Sequence, residues 1–143
     1  SSVDLDGSVF ETQYNLAVAY TKAEDYSNAI KTYAAAIKLN PDFADAYYSL
    51  AVCEENLAKD IISGAVKVND DGTIEKVEEI DNEAEEVKVV LSDRAKETLG
   101  KLLNDAISDY GLYQDKSNEP DDRAFVDRKV KELQQLLAEN AVK

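Results

Sequence analysis

The sequence predicts an all-α protein, a superhelical stack of α-hairpins interrupted by an acidic insertion and closed by a C-terminal capping helix. Three observations carry that expectation. Apolar residues recur at helical spacing through most of the 143 residues. Only 5 Gly and 2 Pro occur, too few turn markers for a many-stranded sheet. The pair Leu16-Ala17 returns 34 positions later as Leu50-Ala51, and Tyr48 follows Tyr14 by the same offset. A chain of this length, 44% hydrophobic, suits one domain spanning 1–143 with a core able to fold without staples.

Residues 4–8 are polar and read as a lead-in to a first helix. From Phe10, the residues Tyr14, Leu16, Ala17, Ala19 and Tyr20 follow helical spacing. "KAEDY" interrupts, and Asp25 is placed to cap a second helix carrying Ala29, Ile30, Tyr33, Ala36 and Ile37. Asn40-Pro41 ends it, because proline lacks the amide for the next helical bond and pushes its predecessor out of the α region. A third helix is expected from near Phe43 through Tyr47, Leu50, Ala51 and Leu57 to Ile62, closed by Gly64.

The stretch "AVKVNDDGTIEKV" alternates apolar and polar residues about a turn signal, so it is either a short β-hairpin or an acidic loop. Residues 83–91 either extend the next helix upstream or place "VKVVL" in a strand. Ser92 can cap a helix whose stripe is Ala95, Leu99, Leu102, Leu103, Ala106, Ile107 and Tyr110, with Gly111 at its end. After the polar "QDKSNEP", a last helix over 120–141 presents Phe125, Val126, Val130, Leu133 and Leu137 on one face and charge on the other.

The spacing Leu16-Ala17, Tyr20, Ala29, Tyr33, Ala36, Pro41 resembles the tetratricopeptide repeat (TPR), a helix–turn–helix unit with a 34-residue period. The physics suits these residue types. Small side chains at Ala17, Ala29 and Ala36 let two helices approach closely. Leu16, Tyr20 and Tyr33 are expected to fill the spaces between neighbours, and Pro41 to form the joint between stacked units. The resemblance covers about a third of the chain, and implies a first repeat at 10–40. A second would run over 42–63 and 92–111, split by an acidic insertion at 64–91, with a cap at 120–141. Two positions depart from the pattern: Glu24 stands where the inter-helix glycine usually sits, and Glu54 where an aromatic is expected.

What the resemblance implies about function is a non-catalytic protein–protein interaction scaffold. In such repeats the first helix of each hairpin lines a concave groove for a partner segment. By register, the partner-binding residues are Tyr14, Val18, Lys22, Tyr48, Val52 and Glu55, flanked by Glu11, Thr21, Asp45 and Asn56. Tyrosine suits such a wall, offering a large contact area at low entropic cost. Members that clamp the acidic tails of heat-shock chaperones use Lys, Asn and Arg in that groove; here those slots hold Tyr14, Val18 and Ser49. A neutral apolar or basic segment is therefore the expected partner. The alternative reading is a structural segment of a longer array, or a self-association module.

Charge and composition narrow the field. The formal net charge is −14, which disfavours nucleic acid, whose affinity rests on Lys and Arg releasing counterions. More than half of it comes from residues 69–86, nine acids against one Lys. With no histidine, a Ser-His-Asp or Cys-His centre cannot be built. No glycine-rich phosphate loop occurs. "NDDG" fails as a calcium loop, because its first ligand would be Lys67; "DLDG" fails because it would place Gln13 where a bidentate Glu belongs. An enzyme site in the acidic insertion is the last-ranked reading, and no cofactor or metal is expected.

Cys53, the single cysteine, is expected to pack as a small hydrophobe. It fits a reducing, cytoplasmic compartment and leaves a periplasmic one open. No apolar run approaches the roughly 18 residues of a membrane span. The chain lacks Met and opens on Ser1-Ser2, so an excised segment of a longer protein is expected.

Overall fold

The computed structural model describes residues 2–71, 73–76, 92–117 and 120–139. Along them run α1 (Ser2–Lys22), α2 (Tyr26–Leu39), α3 (Ala44–Ser63), β1 (Val66–Val68), β2 (Ile74–Lys76), α4 (Asp93–Ser117) and α5 (Pro120–Glu139). Each helix packs on the next in the chain, giving the expected all-α stack of hairpins. The first helix begins earlier than its apolar stripe, since the polar lead-in contains no proline to stop it.

Alanine allows the close approach. Ala17, Ala29 and Ala36 have no accessible surface, and Tyr33 fills the space beside them at 2% exposure. Ala17, Ala29 and Tyr33, with Leu50 and Cys53 of α3, form the cluster that joins the first hairpin to the second helix pair. Leu16 corrects the expectation: it is 43% exposed rather than packed between neighbours, on the side of α1 turned away from that core.

The turn between α1 and α2 is strained. Glu24 adopts φ 60°, the left-handed conformation that glycine takes at little cost. The amide of Asp25 returns to the Tyr20 carbonyl at 2.9 Å and that of Glu24 to Thr21 at 3.0 Å, closing α1. Asp25 occupies the cap position of α2, but its carboxylate accepts from the Asn28 side chain at 2.8 Å instead of a backbone amide. At the proline joint, Asn40 leaves the helical conformation (φ −143°, ψ 84°) and its amide donates to the Ala36 carbonyl. The Tyr47 hydroxyl donates to the Pro41 carbonyl at 2.8 Å, tying α3 to the joint.

Gly64 ends α3 in the left-handed region (φ 85°), its amide returning to Asp60 and Ile61. Of the two alternatives for the following stretch, the hairpin forms. β1 and β2 pair antiparallel, with Val66 opposite Lys76 and Val68 opposite Ile74. Asp71 Oδ1 accepts from both the amide and the hydroxyl of Thr73, shaping the turn. The alternatives for 83–91 lie outside the described residues.

Ser92 caps α4, accepting from the Ala95 amide at 3.1 Å. The expected stripe of α4 is the core of the second unit: Leu99, Leu103, Ala106 and Tyr110 are wholly buried against α3. Each leucine so buried contributes about 1.5–3 kcal/mol. Gly111 does not end the helix, which continues to Ser117 and takes up the first residues of the expected polar loop. That extension carries Tyr113 onto Tyr48, with ring centroids 5.1 Å apart, a tertiary contact that outweighs the weak helix propensity of one glycine. α5 starts at Pro120, a favoured first helical position, and buries Val126 and Leu133.

Relieving the left-handed strain should stabilise the protein. Glu24→Gly is expected to gain about 1 kcal/mol in urea unfolding; a loss of stability would show that the Glu24 side chain itself holds the turn.

Candidate interaction surface

The wall expected of Tyr14, Val18, Lys22, Tyr48, Val52 and Glu55 divides into two parts that meet different neighbours. On α1, Tyr14 belongs to an aromatic group. Its ring lies 6.0 Å from Phe10, 5.3 Å from Phe43 and 5.7 Å edge-on from Tyr33, and Phe10 meets Phe43 at 5.1 Å. Tyr14, Phe10 and Phe43 are all half-buried, so they hold one another while presenting part of their surface to water. Val18 is half-buried and Lys22 exposed at the C-terminal end of the same helix. Phe10 and Phe43 were not among the expected contact residues. The four-residue spacing of Phe10 and Tyr14 was the available signal for the first; Phe43, just before α3, offered none without the hairpin geometry.

On α3, Tyr48 and Val52 are half-buried, as Tyr14 and Val18 are, and Glu55 departs from the expectation of an open wall by being buried. Tyr48 is surrounded by Tyr110 and Tyr113 of α4 and Phe125 of α5, at 6.1, 5.1 and 5.7 Å. Val52 packs on the same core. Glu55 is only 4% exposed and fully engaged. Its Oε1 accepts from the Tyr110 hydroxyl at 2.8 Å, and its Oε2 from Lys59 at 2.7 Å and Lys129 at 3.3 Å. The contacts Tyr48–Phe125 and Glu55–Lys129 ascend together, so α5, packed mainly on α4, runs in the same sense as α3 and touches this face at its edge. The cause is the continuation of α4 past Gly111 and the return of α5, neither of which local periodicity encodes. Of the flanking residues, Glu11 and Asp45 are exposed and Asn56 is half-buried. Thr21 turns inward, with its hydroxyl 3.3 Å from the Cys53 sulfur.

Electrostatics follow from these contacts. Burial alone would raise the Glu55 carboxyl, but the hydrogen bonds from Lys59 and Tyr110 and the charge of Lys129 outweigh it and hold the pKa below the ordinary value. The Tyr110 hydroxyl is pushed up by burial and then by its bond to Glu55. Burial likewise raises the Cys53 thiol, which is wholly enclosed, as expected of a packing residue. Among the described residues no group of His, Cys, Asp and Glu is placed to hold a metal ion, and no helix is long and apolar enough to cross a membrane.

Tyr110→Phe should leave Glu55 Oε1 buried without a partner, at a cost of about 1–3 kcal/mol in urea unfolding at neutral pH. The folded Glu55 carboxyl titrates below its ordinary 4.5, so its contribution is present above that pH and is lost as pH falls through the folded value. Removing the hydroxyl raises that folded value, so acid unfolding of the variant should begin at higher pH than in the wild type. Coincident acid transitions would contradict this account of the carboxylate.

A family model described as a TPR repeat matches residues 17–53, from the C-terminal end of α1 through α2 and the proline joint into α3. No curated protein matches the chain. Repeats of this kind generally mediate protein–protein interaction, and the family is typically non-catalytic. The matched span contains the alanine seam, Tyr33 and Pro41, the residues that set the hairpin geometry. Residues 17–53 thus match a tetratricopeptide repeat, and the chain has the helical-hairpin architecture of an all-α TPR-like fold.

Proposed function

We propose that the chain is a non-catalytic scaffold that holds a partner protein segment on the α1 side of the TPR wall. The observation that carries this reading is the half-exposed aromatic group of Tyr14, Phe10 and Phe43 beside the matched repeat. Tyr14 and Val18 supply apolar contact and Lys22 a polar rim, the arrangement of interfaces in which a few anchored aromatics carry most of the binding. Tyr48, Val52 and Glu55 serve the wall indirectly, by seating α4 and α5 against α3. A net charge of −14 favours a basic or neutral apolar segment over an acidic one.

A second reading, in which the chain stacks on further repeats or on another copy of itself, is favoured by one observation. Val9, Leu16 and Leu39, all in the first hairpin, are exposed at 42%, 43% and 43%. Apolar groups so placed suit a neighbouring hairpin.

One set of samples separates the two. Titration with basic, neutral apolar and acidic extended peptides should show the first two classes binding the wild type, with Tyr14→Ala weakening them about tenfold or more. Identical binding by both proteins, or preference for acidic peptides, contradicts the groove reading. Sedimentation of the same samples at high micromolar concentration should give a monomer; association abolished by Leu16→Lys would instead establish the second reading.

A further inference from the structure

Glu54 precedes Glu55 but points about 100° away around the helix, toward a different set of neighbours. It stands in the wall of a cleft bounded by α2, α3, α4 and the turn of the β-hairpin. The side chain is 4% exposed, and its Oε1 is enclosed without a hydrogen-bond partner among the described residues. The group it does meet is Asp109 of α4, with which it shares a hydrogen bond across the seam between the two helices. Among the described elements, α3 and α4 make the largest contact, so this bond crosses the main joint of the second unit.

A hydrogen bond between two carboxyl groups has one chemical requirement. An ionised carboxylate only accepts, so one member of the pair must carry a proton to donate. The burial of Glu54 makes the same demand. A carboxylate with an unpartnered oxygen and a second anion beside it would be taken out of water without compensation. One proton therefore belongs between α3 and α4.

The surrounding charges do not substitute for that proton. Asp105, one turn before Asp109 on α4, adds negative charge, and Lys101, one turn earlier again, offsets it in part. Lys101 and, across the cleft on α2, Lys31 are exposed, so water screens both. Asp25 of α2 is bonded to Asn28, and Asp71 of the hairpin turn to Thr73. Cys53, the residue before Glu54, has its thiol raised by burial. We propose that the Glu54–Asp109 pair is a proton-dependent latch: with one shared proton it fastens α4 to α3, and without it two facing carboxylates push the seam apart. Because α4 also brings Tyr110 to Glu55 and supports α5, the latch governs both. It does so whichever face takes a partner.

Folding takes up a proton at this pair. Burial, then the Asp109 hydrogen bond and the Asp109 and Asp105 charges, raise the Glu54 carboxyl above its ordinary 4.5, and burial raises Asp109 above 3.8. The unfolded chain releases that proton above those ordinary values, whereas the folded pair keeps it. The contribution of the latch is thus fully present below the ordinary carboxyl range and declines as pH rises through the folded value. One proton of difference corresponds to about a tenfold rise in the unfolding constant per pH unit.

The test is urea unfolding between pH 5.5 and 8, above the ordinary carboxyl range and below that of a thiol. The chain has no histidine, so no side chain of ordinary pKa titrates in this window. The wild-type unfolding constant should rise about tenfold per pH unit. Glu54→Gln, which keeps the shape and donates to Asp109 without a titrating proton, should remove most of that slope. Glu54→Met, of similar volume, should remove it too. At pH 5.5, Asp109→Ala should raise the unfolding constant about tenfold or more in the wild type and far less in the Glu54→Met background. A flat wild-type profile would overturn the latch whatever the variants do. A slope that persists without Glu54, or an equal cost of Asp109→Ala in both backgrounds, would overturn it as well.

Discussion

A carboxylate removed from water fixes which side of α3 is closed. Glu55 is ionised and almost wholly buried, a state that persists only when each oxygen is matched. Its partners come from three helices: Lys59 one turn along α3, Tyr110 of α4 and Lys129 of α5. Removing any one leaves charge uncompensated, so the three helices must keep their mutual register. The aromatic cluster of Tyr48, Tyr110, Tyr113 and Phe125 then packs around that fixed point. Charge sets the position, and apolar burial supplies most of the stabilisation.

Neighbouring glutamates on α3 meet opposite environments. Glu55 faces lysines and a phenol, which hold its pKa below the ordinary value; the Glu54 pKa is raised by burial and then by Asp109 and Asp105. Helical geometry alone produces the difference, because consecutive residues point in different directions while sharing one backbone. One carboxyl thereby serves the integrity of the stack, and the other shapes a cleft on a separate face. The protein accordingly presents an aromatic surface on α1 and a cleft of mixed charge between α2 and α4, where Glu54 and Asp105 stand beside Lys31 and Lys101.

Much of this architecture was legible in the residues. Ala17, Ala29, Ala36 and Pro41 announce a close-packed hairpin and its joint because small size and a missing amide act locally. Ser92 and Gly64 mark helix ends for equally local reasons. Local rules failed where distant contacts decide. Gly111 lies inside α4 because Tyr113 packs on Tyr48, more than sixty positions earlier in the chain. Leu16 reads as a core residue by register, but it lies on the outward side of its helix. Glu55 proved buried and Tyr48 partly covered because no periodicity tells where a final amphipathic helix will dock. Glu54 was noticed as a departure from the repeat; its burial beside Asp109 required the fold.

The most direct test of this account is hydrogen exchange in α5 of the intact protein at neutral pH. If the Glu55 carboxylate and the Tyr48 cluster seat that helix, the amides around Val126–Leu133 should be protected as strongly as those of α3. Lys129→Met should speed their exchange while leaving α1 and α2 unchanged. Exchange in α5 at the rate of an isolated peptide, with α3 still protected, would mean that the wall is open and the account is wrong.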